Sequence, residues 1–100
     1  MKNKWRMLFV SLAVCMANAS VAGAASICLD PGHGGGDPGA TGCGLEEAEI
    51  NLGVATYLQT MLKNAGFTVV MTRTTDKEVS LAGRCEIANS NGVTTFASIH

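Results

Sequence analysis

The stretch whose reading decides the fold is LDPGHGGGDPGAT, Leu29 to Thr41. Five of the chain's twelve glycines and both of its prolines fall inside it. The backbone must therefore turn sharply there and cannot continue the apolar run Ser26-Ile27-Cys28-Leu29. This predicts a short buried strand over Ser26 to Leu29 and a glycine-rich loop from there to about Leu45. In the middle of that loop stands His33, one of only two histidines, between glycines that let a substrate or a metal ion approach the backbone. The other, His100, closes a second apolar run, Val93 to Ile99. If both runs are parallel strands of one sheet, both imidazoles emerge at its carboxyl edge, where open α/β sheets place their sites.

What lies between the two runs supports that arrangement. Ile50, Val54, Tyr57, Leu58, Met61, Leu62 and Ala65 recur at three and four, so the sequence predicts an amphipathic helix from about Glu46 to Ala65 with this stripe buried. Gly66 then ends it. Phe67 to Thr72, rich in β-branched residues, reads as a second strand, and Arg73 to Asp76 as a polar turn. Ser80 is placed to cap a second helix carrying Leu81, Cys85 and Ala88 on one side, ending near Asn91-Gly92. Strand, helix, strand, helix, strand is the order of a parallel βαβ sheet. Glu46, Glu47 and Glu49 crowd the first turn of the long helix, where the helix dipole favours negative charge. Of these, Glu47 lies nearest the buried stripe and faces the sheet edge, while Glu46 and Glu49 point toward water. His33, Glu47 and His100 together make the two-histidine, one-carboxylate set of a catalytic zinc site.

The first quarter of the chain belongs to a different category. Lys2, Lys4 and Arg6 precede an apolar Met7 to Met16 and a small-residue stretch, Ala17 to Ala25, the layout of a secretory signal peptide over residues 1–24. Cleavage is expected after Ala19 or Ala24, and the apolar core is too short for a stable membrane span. A lipoprotein box at Leu12-Ala13-Val14-Cys15 is disfavoured by Val14. The remainder carries four basic against eight acidic residues. That balance argues against nucleic acid as a partner. Three cysteines remain, with no CxxC spacing; Cys28 and Cys85 read as small core residues, and Cys43 as a loop thiol free to pair or oxidise. The glycine loop lacks the GxGxxG and GxxxxGK[ST] spacings and has no lysine, so a nucleotide is not expected.

These residues also carry a resemblance. LDPGHGGGDPGATG, followed by GLEEAEINL, VVMTRTTD, SLAGRCEIAN and FASIH, resembles the zinc-dependent N-acetylmuramoyl-L-alanine amidases that trim bacterial cell walls, in order and over essentially all of Ser26 to His100. The resemblance implies a three-layer α/β fold, a twisted, mostly parallel sheet flanked by helices. It implies Zn2+ held by His33, Glu47 and His100, the set reached from geometry. It also implies a peptidoglycan substrate cut at the amide between N-acetylmuramic acid and L-alanine, in the periplasm or at the cell wall. Asp30, Arg73, Asp76, Arg84 and Asn89 match family positions and are expected to support the site rather than react. The general base of the family is a glutamate well beyond the S-I-H strand end. The expectation is therefore that residues 26–100 are the amino-terminal part of the catalytic domain, with the sheet incomplete at its carboxyl end. No catalytic residue is assigned within the chain, because Glu46 points away from the site. Two other readings stay open at this point, a non-catalytic peptidoglycan-binding module and a metal-dependent hydrolase of another amide.

Overall fold

Strand β1, Ser26–Pro31, runs between two parallel neighbours, β4, Thr68–Met71, and β5, Thr95–Ile99, in the sheet order β4-β1-β5. The computed structural model describes residues 25–100, so the signal-peptide reading of residues 1–24 lies outside the described residues. Two helices flank the sheet, α1 over Glu47–Asn64 and α2 over Leu81–Ser90. As the central strand, β1 is covered on both sides, and Cys28 and Leu29 are fully buried. Register places Ile27 opposite both Val69 and Thr95, and Pro31 opposite Ile99. All three strands thus end at one edge.

The helix boundaries follow from local chemistry. Glu46, in extended conformation, precedes α1, and Gly66, at φ 94°, takes the left-handed turn that ends it. Ser80 caps α2 by accepting a hydrogen bond from the Gly83 amide at 3.0 Å. No helix among the described residues is long and apolar enough to cross a membrane.

Four expectations are corrected. β1 runs two residues further than Leu29, since Asp30 and Pro31 still pair with β5; a proline tolerates the end of a strand, where its missing N–H breaks no ladder. The supposed plain loop contains a small hairpin, β2 (Thr41–Gly42) with β3 (Leu45–Glu46). Its two turn residues, Cys43 and Gly44, both have positive φ, 52° and 73°, as a two-residue hairpin turn requires. The apolar stripe of α1 does not face the sheet: Ile50, Val54, Tyr57 and Met61 are exposed, and Ala48, Asn51 and Ala55 are buried instead. One residue is about 100° of helix rotation, and small side chains on the neighbouring face let the backbone of α1 come close to the strands. Finally, Leu81 and Cys85 are exposed, because α2 turns Arg84 and Ala88 inward.

The reason for that turn is Asp30, at the carboxyl end of β1 and 4% exposed. Its Oδ1 accepts from Arg84 Nη1 at 2.7 Å and from the Thr72 hydroxyl at 2.8 Å, and its Oδ2 from the Ser98 hydroxyl at 2.7 Å. One carboxylate thereby ties together α2, the end of β4 and β5. Burial alone would raise its pKa, but the hydrogen bonds from Arg84, Ser98 and Thr72 outweigh it and hold the carboxyl below its ordinary 3.8. The folded state thus releases this proton more readily than the unfolded chain. Its stabilisation is complete above the ordinary value and is lost as pH falls below 3.8 through the folded value. Thermal unfolding followed by circular dichroism from about pH 6 to about pH 2 should show that acid limb. Asp30→Asn should lower stability by about 3–5 kcal/mol at neutral pH, the cost of leaving a buried cation unpaired, and should flatten the acid limb. An Asp30→Asn protein with an unchanged acid limb would contradict this account.

Candidate metal centre

Three side chains reach the carboxyl edge of the sheet from three elements. His33 follows β1, Glu47 is the first residue of α1, and His100 follows β5. Their donor atoms lie within 4.8 Å of one another. Glu47 Oε1 is 3.3 Å from His33 Nε2 and 3.2 Å from His100 Nδ1. At metal–nitrogen and metal–oxygen bonds of about 2.0–2.1 Å, two ligands of a tetrahedral zinc ion stand about 3.3 Å apart. Two neutral imidazoles and one carboxylate are also a donor chemistry that zinc accepts, with a fourth position left for water.

The loop is shaped around this cluster. His33 itself has φ 62°, a left-handed backbone that costs a non-glycine residue about 1 kcal/mol and persists only where its surroundings impose it. Here the surroundings are a pair of hydrogen bonds between Gly34 and Asp37, at 2.7 and 3.1 Å, and Arg84 Nη2 donating to the His33 carbonyl at 3.0 Å. Two glycines leave space that a side chain would fill. A Cβ on Gly32 would fall 2.3 Å from His100 Cε1, and one on Gly39 would fall 2.7 Å from both Glu47 Oε2 and His33 Cδ2.

Hydrogen bonds orient the donors. Asp37 Oδ2 lies 2.8 Å from His33 Nδ1, so that nitrogen carries the proton and Nε2 is turned toward Glu47, the arrangement by which outer carboxylates orient metal-binding histidines. The same hydrogen bond, with the charges of Asp37 and Glu47, pushes the His33 pKa up. Glu47 Oε2 accepts from the Ala40 amide at 2.9 Å. That bond first, and the neighbouring imidazoles after it, hold the Glu47 carboxyl below its ordinary range.

Among residues singled out from the sequence, Arg73 and Arg84 are buried beneath the site. Asp76 accepts from the Gly35 amide at 2.8 Å and so anchors the glycine loop. Asn89 is exposed on α2, and Glu46 is exposed at the start of α1. Sequence reasoning passed over Asp37, whose only local signal is its place four residues after His33. It also passed over Asn51, a polar residue one helical turn beyond Glu47, which is 1% exposed. A depression of about 240 Å³ lies on one side of His100, lined by Asp37, Glu78, Leu81 and Ser98. Another, of about 440 Å³, also reaches His100 and is lined by Ala40, Thr41, Leu45 and Ile50.

Comparison with known proteins gives a consistent result. The family described as N-acetylmuramoyl-L-alanine amidase matches residues 27–100. The sporulation-specific N-acetylmuramoyl-L-alanine amidase of Bacillus subtilis is 49% identical over 76 residues, covering 74% of this chain and 30% of that protein. The amidase AmiA of Escherichia coli is 41% identical over 75 residues, covering 74% of this chain and 26% of that protein. Among solved structures, N-acetylmuramoyl-L-alanine amidase AmiC2 of Nostoc punctiforme superposes with a TM-score of 0.71 at 40% identity, over 74% of this chain and 42% of that one. The chain spans about a third or less of the length of these two curated relatives.

Gly32→Ala isolates the contribution of the cradle, because Gly32 has no positive φ and the three atoms nearest its new methyl all belong to the His100 ring. The variant should keep a cooperative thermal transition within about 1 kcal/mol of the parent, since an exposed side chain can swing aside. The displaced ring should lower zinc affinity by at least about tenfold in a chelator competition. Unchanged affinity would mean that His100 is not held by this contact.

Proposed function

The chain belongs to the N-acetylmuramoyl-L-alanine amidase family, and from that premise we propose that it serves zinc-dependent hydrolysis of the amide between N-acetylmuramic acid and L-alanine in peptidoglycan. The observation that carries the reading is the His33, Glu47, His100 cluster, with donors within 4.8 Å. A bond that joins a sugar-bearing lactyl group to a peptide needs room around the reacting carbonyl, and both depressions reach His100.

His33 Nε2, Glu47 Oε1 and His100 Nδ1 are the atoms that would hold the ion. Bound there, zinc supplies a Lewis acid that polarises the amide carbonyl and brings the pKa of water toward about 7. The rest falls to the chain's own groups. Asp37 keeps the proton on His33 Nδ1, and the Ala40 amide fixes one Glu47 oxygen so that the other faces the imidazoles. Amide hydrolysis further needs a carboxylate that takes a proton from water and delivers it to the leaving amine. Among the described residues near the site, Asp37 is engaged by His33 and Asp30 by Arg84, while Glu78, which lines the depression beside His100, is not the residue to which the family resemblance assigns that transfer. We therefore assign residues 25–100 the metal grip and part of the substrate groove, and expect slow turnover from the 100-residue chain by itself. Residues 1–24, read as a signal peptide, fit export to the periplasm or the cell wall, where the substrate lies.

Zinc content and products test the reading together. The purified chain should take up about one zinc ion, and His33→Ala and His100→Ala should each weaken uptake by a hundredfold or more. Incubated with purified peptidoglycan, it should release at most traces of product. Any product should be stem peptide with a free L-alanine amino terminus, and a chelator should suppress it. Fast turnover by this chain would overturn the assignment of the missing proton carrier. Products cut elsewhere in the peptide would overturn the substrate bond.

A further inference from the structure

Arg73 is the largest fully buried side chain among the described residues, 2% exposed, and it forms no ion pair within them. Its guanidinium is satisfied by carbonyl oxygens alone. Nε donates to Pro31 at 2.9 Å, Nη1 to Thr75 at 3.1 Å, and Nη2 to Gly32 at 2.9 Å and Ala48 at 2.8 Å. Burying a cation among neutral acceptors is costly, so an apolar side chain would hold the fold at lower cost if packing were the only requirement.

The positions of the four acceptors show what the cation joins. Pro31 and Gly32 lead directly into His33, and Ala48 directly follows Glu47. One planar fork therefore spans the two segments that carry the first two donors of the cluster. Asn51, on α1, donates from Nδ2 to the same Gly32 carbonyl at 3.1 Å. The Gly32 amide donates to Ile99 at 2.9 Å, next to His100. The Gly32 residue is thus tied through its backbone to all three ligand-bearing segments, with Arg73 and Asn51 holding its carbonyl oxygen and β5 accepting from its amide.

We propose that Arg73, seconded by Asn51, is a positioning residue for the metal cluster: it sets the distance between the His33 loop and the start of α1 through the Gly32 and Ala48 carbonyls. The inference rests on the metal-site reading given above, and extends it to a residue that touches neither ion nor substrate. A lysine at 73 keeps the charge but gathers its donors on one nitrogen, and cannot span Pro31 on one edge and Ala48 on the other. Arg73→Lys should leave the chain folded and the cluster loosened. Asn51→Ala should do the same more mildly, since the Gly32 carbonyl keeps one donor.

The test compares the full chain with Arg73→Lys, Asn51→Ala and Leu62→Ala, the last a variant that removes a half-buried side chain near the carboxyl end of α1, far along the helix from Glu47. Two readouts are taken well below each protein's unfolding midpoint. Zinc affinity by chelator competition should fall about 10- to 100-fold in Arg73→Lys, and about 10-fold in Asn51→Ala. It should stay unchanged in Leu62→Ala despite its lower midpoint. In the metal-free protein, nuclear Overhauser contacts between the His33 and His100 rings, whose centroids are 5.1 Å apart, should be present in the parent and in Leu62→Ala and weakened in the other two. Affinity that merely tracks the midpoint across all three variants, or ring contacts intact in Arg73→Lys, would overturn the proposal. A parent that binds no zinc would defeat the metal reading of the function. The ring contacts would still decide whether Arg73 positions these side chains.

Discussion

The pairing of β1 with β5 is the constraint on which the rest depends. Because the strands are parallel and Pro31 lies opposite Ile99, the two chains leave the sheet side by side and in the same direction. One further hydrogen bond, Gly32 to Ile99, carries the pairing a residue past the last strand position. His33 and His100, 67 positions apart in the sequence, are then brought to ring centroids 5.1 Å apart and edge to face. A slip of one residue would send their side chains to opposite faces, and the third donor, on α1, would have only one imidazole within reach.

What holds that register is unusually polar. The buried apolar residues are few and small, Cys28, Leu29, Ala48, Ala55 and Ala88, while Asp30, Asn51, Thr72, Arg73 and Arg84 are buried beside them. No buried side-chain nitrogen or oxygen among the described residues lacks a partner. A network in that condition is specific, since each donor accepts few alternative geometries in a medium of low dielectric. The network is also concentrated at one place. Arg73 and Arg84 both donate to backbone carbonyls of residues 31–33 and Asp30 holds Arg84, so the polar part of the core lies directly beneath the candidate metal centre.

Helix α1 links core and site through the identity of one face. Glu47, Ala48, Asn51 and Ala55 follow one another along the side that meets the sheet. The small alanines bring the helix close, and that closeness lets Asn51 reach the Gly32 carbonyl. The larger apolar residues stand on the adjacent face, where Ile50 lines the groove beside His100 together with Leu45 of β3. Packing against the sheet and lining of the groove are thus divided between two faces of a single helix.

Much of this was legible from the chain alone. Glycine and proline in Leu29 to Thr41 stop a strand, residues of period 3.6 follow, and β-branched runs recur, so the element order and the parallel sheet were readable from local chemistry. The same reasoning selected His33, Glu47 and His100, because strand ends and a helix start are positions that local pattern does encode. The α1 stripe was misread because periodicity finds an apolar face without saying which face meets a sheet. Alanines with an asparagine among them carry almost no hydrophobic signal. Cys85 and Leu81 were misread for a related reason, since the inward turn of α2 is set by an ion pair to Asp30, 54 residues earlier. Partnerships such as Arg73 with the Gly32 and Ala48 carbonyls involve backbone atoms, which every residue has. Sequence determined which elements form and which side chains stand at their ends; only the tertiary structure decided which buried cation meets which carbonyl, because that depends on distances fixed by packing the elements together.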